Sequence, residues 1–154
     1  MRRFMLLGFA SFAFAAGFGA AHLNTVAFAQ SAPPSLTPQI IDLTAMTDAQ
    51  IGPQVPNMGT LRSKLLVNTP YGTVAVQSGN VPKHMHLGSN EIQYIISGSG
   101  TFWLGNEVHH IHAGDLIIVP KGVAHAGSYA TSGEFKALAI KLPPQAPGDT
   151  HMLP

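Results

Sequence analysis

GNVPKHMHLGSNEIQYIISG, residues 79–98, is the stretch on which the fold turns. It places His84 and His86 one residue apart, then the polar turn LGSN, then Glu91 at the head of a largely apolar run. Residues two apart on a strand point to the same face, so the two imidazoles would share one. Alone, the pair reads either as part of a metal site or as the solvent face of a strand. The turn would fold EIQYII back alongside the first strand and set Glu91 beside the imidazoles. A carboxylate at the start of an apolar strand is costly unless it is paired or bound to a cation. A fourth candidate comes from GDLIIVPKGVAH, residues 114–125: an apolar strand, a Pro-Lys-Gly turn, then His125.

Outward from these segments the chain is a series of short β-prone runs, among them SKLLVN, GTVAVQS, EIQYIIS, TFWL, EVHHIH, DLIIV, HAGSYA and FKALAIK. TPYG, LGSN, SGSG, GN, AGD, PKG and TSGE lie between them as turns. Strands at this spacing, with no amphipathic helix among them, indicate an antiparallel sandwich or barrel. TFWLGNEVHH reads as a tight hairpin with Gly105-Asn106 at its turn. The tail PPQAPGDTHMLP, residues 143–154, is too rich in proline for a sheet interior and is expected to wrap the surface. Before the barrel, QIIDLTAMTDAQIGPQVP is expected to hold a strand and a short helical turn, preceded by the Pro/Ser linker QSAPPSLTP.

Residues 1–29 have the layout of a secretory signal peptide: a basic start, an uncharged apolar run over residues 4–21, and AFA before Gln30. An uncleaved anchor is the alternative, since the run approaches the ~20 residues that span a bilayer. Its glycines and alanines and the A-x-A favour cleavage after Ala29, and so a periplasmic or secreted protein with no stable membrane contact. Arg2-Arg3 leaves open a twin-arginine route. The expected division is therefore 1–29 signal peptide, 30–60 linker and N-terminal arm, 61–142 β-barrel and 143–154 tail. At 154 residues there is room for one domain. Without Arg2 and Arg3, six Lys/Arg face seven Asp/Glu. No basic stripe remains for nucleic acid. The chain has no cysteine, so it forms no disulfide, and any metal must be held by N and O ligands.

Together, residues 79–98 and 114–125 resemble the two motifs of the cupin superfamily. The first motif runs glycine, H-x-H, a glutamate and a closing glycine, here Gly79, His84, His86, Glu91 and Gly98. The second is glycine, five residues, P-x-G, two residues and histidine, here Gly114, Pro120, Gly122 and His125. The resemblance covers residues 64–141 and departs in two places. Four residues rather than the usual five separate Gly79 from His84, and Tyr129 stands where an asparagine is customary. It implies an all-β, antiparallel jelly-roll barrel of six to eight strands with a metal inside its mouth. By carry-over, His84, His86, Glu91 and His125 bind one divalent ion. Three imidazoles and one carboxylate suit Mn, Fe, Ni, Cu or Zn, and on an octahedral ion they leave two positions for water, substrate or O2.

For activity, the resemblance implies a metal-dependent dioxygenase acting on a small enol or diketone-like molecule, with Glu91 loosening to serve as general base. The rival is a non-catalytic module that sequesters or senses a metal or small ligand, kept open by a shortage of polar residues expected inside the barrel. Sugar-nucleotide isomerases are a weaker third option, because Arg62 is the one arginine after the leader. IQYII and the pair Phe102-Trp103 exceed what one small barrel buries, which points to a homodimer. Phe102, Trp103 and Tyr94 are expected in the core or at that dimer contact. His109, His110 and His112 read as the polar side of a hairpin rather than a second metal cluster, with no carboxylate beside them. Gln93, two residues after Glu91, should point into the same cavity, either bonding there or filling space. Asp115 should cap a turn, and Lys121 should be solvated.

Overall fold

Two long strands carry the architecture of the computed structural model, which describes residues 36–154. The expected signal peptide and most of the linker fall outside the described residues. The elements are α1 (Asp48–Ile51), β1 (Arg62–Thr69), β2 (Gly72–Ser78), β3 (His84–His86), β4 (Asn90–Leu104), β5 (Glu107–His112), β6 (Leu116–Val119), β7 (His125–Leu142) and β8 (Thr150–Met152). Every pairing between these strands is antiparallel, and β7 pairs with β2, β3 and β4. This is the expected all-β, jelly-roll type barrel.

Side chains alternate across each strand, and the alternation sorts the interior. On β4, Glu91, Gln93 and Ile95 are buried while Tyr94 is exposed; on β6, Ile117 and Val119 are buried while Leu116 and Ile118 are exposed. Ile95, Phe102, Ile111, Ile117, Val119, Ala126, Phe135 and Ala137 form one apolar cluster. Each fully buried large apolar side chain there contributes about 1.5–3 kcal/mol. The inner face is thus apolar around Phe102 and Phe135 and polar where Glu91 and Gln93 lie.

Four expectations are corrected. SGSG does not separate two strands: β4 runs through it, with register shifts between Ile95 and Gly100. A Cβ on Gly100 would lie 2.1 Å from the Tyr129 carbonyl oxygen, so the missing side chain lets β4 and β7 approach closely and bend without breaking. TSGE is likewise carried inside β7.

Second, LGSN does not fold β4 back onto β3. β3 pairs with β7 and β8, whereas Glu91 faces Val119 of β6 and Lys141 of β7. The amides of Leu87 and Gly88 donate to Asp149 Oδ1 at 2.9 and 2.8 Å, which ties this turn to the tail.

Third, the tail supplies a strand. His84 pairs with Met152 and His86 with Thr150, because THM lies clear of the prolines and takes the open edge of β3.

Fourth, residues 39–56 hold the helical turn but no strand, only a bridge from Gln54 to Arg62. The arm is fixed by polar contacts instead. Asp48 accepts from Arg62 Nε at 3.0 Å and from Ser78 Oγ at 2.8 Å, and Lys136 Nζ donates to the carbonyls of Thr44 and Met46.

Candidate metal centre

His84 and His86 share a face of β3, Glu91 opens β4, and His125 begins β7 opposite His84 in register. One donor atom from each of the four lies within 4.8 Å of the others. All four side chains are buried, with relative exposures of 4, 2, 2 and 0 % in chain order.

Each ring is oriented by its Nδ1 against a backbone carbonyl: His84 to Pro82 at 2.8 Å, His86 to Asp149 at 3.1 Å and His125 to Val123 at 3.0 Å. A carbonyl oxygen can only accept, so these contacts assign the proton to Nδ1 and leave Nε2 of a neutral ring as the ligand atom. His86 Nε2 and His125 Nε2 lie 3.1 and 3.2 Å from Glu91 Oε2. Lone pairs facing one another at that range repel unless a proton or a cation lies between them. A divalent ion would satisfy the nitrogens and the carboxylate together, so the donor set fits one.

Protonation favours the same state. Burial, with help from His125 and His86, pushes His84 down to about 4 against the opposing Pro82 carbonyl and Glu91 charge. Burial alone would raise Glu91, but bonding to His125 and His86 and the charge of Lys141 hold it well below the usual carboxylate range. At neutral pH, His84 is neutral and Glu91 ionised, the forms that bind metal.

A cavity of ≈ 220 Å³ adjoins the cluster. Gln93 points into it as expected, donating from Nε2 to Glu91 Oε1 at 2.9 Å. The expected shortage of polar lining is not found: Ser63, Gln77, Lys141, Gln145 and Thr150 also line the space. Lys141 went unrecognised in the sequence. Its Nζ lies 3.0 Å from His86 Nε2 and 3.6 Å from Glu91 Oε2, and it donates to Gln145 Oε1. Burial lowers its pKa, with Glu91 and Asp149 acting against that. Period-two alternation along FKALAIK puts Phe135, Ala137, Ala139 and Lys141 on one face, a signal that could have found it. Asp149 had no such signal, because its part is played by a backbone carbonyl and by a carboxylate bonded to amides.

The remaining candidates lie elsewhere. His109, His110 and His112 are exposed, as expected of a hairpin's polar side. Contrary to expectation, carboxylates accompany two of them: His112 Nδ1 is 3.0 Å from Asp115 Oδ2, and His109 Nε2 is 3.7 Å from Glu107 Oε2. Among the described residues, the potential metal-binding group is the buried four. Asp115 also accepts from the His112 amide at 2.7 Å, the expected cap. Phe102 is core, Tyr94 is 46 % exposed, and Lys83 Nζ sits 4.0 Å from the Trp103 ring centroid. Lys121 is exposed, and Arg62 is paired with Asp48.

Residues 71–141 match the family described as Cupin domain. An uncharacterised protein of Methanocaldococcus jannaschii is 34% identical over 70 residues, 46% of this chain and 56% of that protein. This chain therefore spans little more than half the length of that relative. Among solved structures, the nucleoside dehydratase Pac13 of Streptomyces aligns with 63% of this chain and 81% of its own, at a TM-score of 0.53 and 23% identity. A conserved protein of Klebsiella pneumoniae with a double-stranded β-helix domain aligns with 64% of this chain and 83% of its own, at a TM-score of 0.53 and 19% identity. Both likenesses are of fold.

Proposed function

The chain is a small cupin-domain protein, and from that premise we propose that it binds one divalent metal ion through His84, His86, Glu91 and His125. We propose further that it is an exported dioxygenase acting on a small enol or diketone-like molecule. The observation that carries the metal reading is the convergence of four buried donors whose three imidazoles each turn Nδ1 to a carbonyl.

When bound, the ion supplies Lewis acidity toward a substrate oxygen. The chain's own residues do the rest. Gln93 holds Glu91 Oε1, and Oε2, the oxygen that faces His86 and His125, would take a proton from an enol once it loosens from the ion. Val55 and Met58 from the N-terminal arm line the same cavity and limit water. The second reading is a non-catalytic module for sequestration or sensing, and the near-complete burial of all four donors favours it.

Metal content and melting temperature of protein taken from an envelope fraction test the proposal, with intact mass starting at Gln30 expected from export. About one ion per chain is expected, lost in His86→Ala and His125→Ala and kept in His110→Ala and His112→Ala. Ligand at 100 times its Kd stabilises by about 2.7 kcal/mol. Chelation should accordingly lower the wild-type melting temperature by roughly 10 °C and leave His86→Ala nearly unchanged. Full occupancy in the His86 and His125 variants would overturn the site. Oxygen uptake during a screen of enols and diketones separates the two readings: a fully loaded protein that consumes none with any of them is the non-catalytic module.

A further inference from the structure

We infer that the ligand of this cavity is a small anion, a carboxylate carrying an adjacent keto or enol oxygen, and that Lys141 selects it. This deepens the metal-binding reading above and rests on it.

Lys141 stands on β7 directly opposite Glu91 in register, and its side chain is 13 % exposed. Its ammonium has His86 Nε2, Glu91 Oε2 and Gln145 Oε1 around it. An ion held by His86 and Glu91 takes the single lone pair of His86 Nε2 and shares Glu91 Oε2, which weakens the ion pair at 3.6 Å. Lys141 then keeps one hydrogen-bond partner, Gln145, whose own amide nitrogen donates to Thr150 Oγ1 at 2.6 Å. A largely buried ammonium with unfilled donors turned toward a cavity is costly until an acceptor arrives.

Charge points the same way. Among the residues lining the cavity, the ionised side chains are Glu91 and Lys141. A divalent ion, one carboxylate and one ammonium leave two positive charges in excess. Asp149 does not line the space, and its charge, which acts on Lys141 from outside the cavity, offsets at most one of the two. A neutral diketone leaves that excess uncompensated, whereas a carboxylate reduces it and gives Lys141 its acceptor. Size sets the scale of the ligand: a cavity of about 150 Å³ binds benzene, so one of ≈ 220 Å³ accommodates a molecule of benzene's size or somewhat larger. Leu61, Val81, Val55 and Met58 offer apolar wall for a short carbon chain.

Pyruvate and butane-2,3-dione are near-isosteric, so the pair isolates the effect of charge. Calorimetric titration of each into the zinc-loaded protein, with zinc content measured on the same samples, is the test. Wild type should bind pyruvate at least tenfold more tightly than the dione. Lys141→Met should lose at least tenfold in pyruvate affinity with dione binding changed less than threefold and zinc retained. Wild type that holds no zinc would overturn the metal reading. Zinc-loaded wild type with no preference for pyruvate, or a Lys141→Met variant that keeps the preference, would overturn the present inference alone. Should Lys141→Met fail to fold, Lys141→Gln takes its place with the same expected and overturning results, and wild type that binds pyruvate no more tightly than the dione is fatal by itself.

Discussion

Glu91 is 2 % exposed and nonetheless ionised, because two imidazoles and an ammonium surround one of its oxygens. His84 is the complementary case, a base kept neutral by burial. Its depressed pKa has a consequence for the metal-free protein. Between the ordinary histidine value of 6.5 and the folded value of about 4, the unfolded chain binds a proton that the folded chain does not. Stability therefore falls as pH drops through that window, by as much as about 3 kcal/mol from this ring. Glu91 adds to the loss only toward the bottom of that window, where the unfolded carboxyl begins to take up a proton near 4.5 while the folded one stays ionised. Urea unfolding of chelated protein at pH 7 and pH 4.5 should show the loss, and His84→Asn should flatten it; equal slopes in the two proteins would refute the assignment. At this scale the four candidate ligands were legible because metal chemistry restricts residue type and spacing. Lys141 was not, because a single lysine in an apolar strand carries no spacing, and only the direction it faces marks it.

At the scale of elements, the glycines flanking the ligand segments do different work. Gly98 has φ +83, and a Cβ there would lie 2.6 Å from the Glu134 carbonyl oxygen, whereas Gly122 has φ +79 and open space around it. Alanine at Gly122 meets only the backbone penalty of the left-handed region, about 1–2 kcal/mol. Alanine at Gly98 adds a clash with backbone that cannot swing aside, so its cost should exceed that of Gly122→Ala by at least about 1 kcal/mol. Denaturant melts of the two variants measure the difference, and equal losses would show that β4 and β7 can separate without penalty. The β-prone runs of the sequence correspond to real strand segments, but their joins did not read true. SGSG has the composition of a turn, and only the presence of β7 beside it makes it a bend within a strand. The pairing of β3 with β8 was equally hidden, since three residues after a proline-rich stretch have no pattern of their own.

At the scale of the whole molecule, exposed apolar side chains are scattered over the described residues, and three of them fall together on the outer face of β4 and β6. Tyr94 and Leu116 are register partners with 46 and 60 % exposure, and Ile118 is 62 % exposed. Phe102 is core and does not contribute, so the expected homodimer now depends on this face. We expect a dimer by light scattering at micromolar concentration and a monomer after Leu116→Lys with Ile118→Lys; wild type that is monomeric would refute it.

The position of β7 reaches beyond the finished structure into the order of its making. Its eighteen residues pair with strands that begin as far back as Gly72, so the chain must close long loops before those pairings bring any return. Topologies of this kind fold in milliseconds to seconds rather than microseconds. Until residues 125–142 dock, β2 and β4 have open edges that another chain could occupy. His125 arrives on that same strand, so the four-ligand set is complete only once the barrel has closed. A metal ion held by these four residues would thus be a latch on a finished fold, not the seed around which the fold begins.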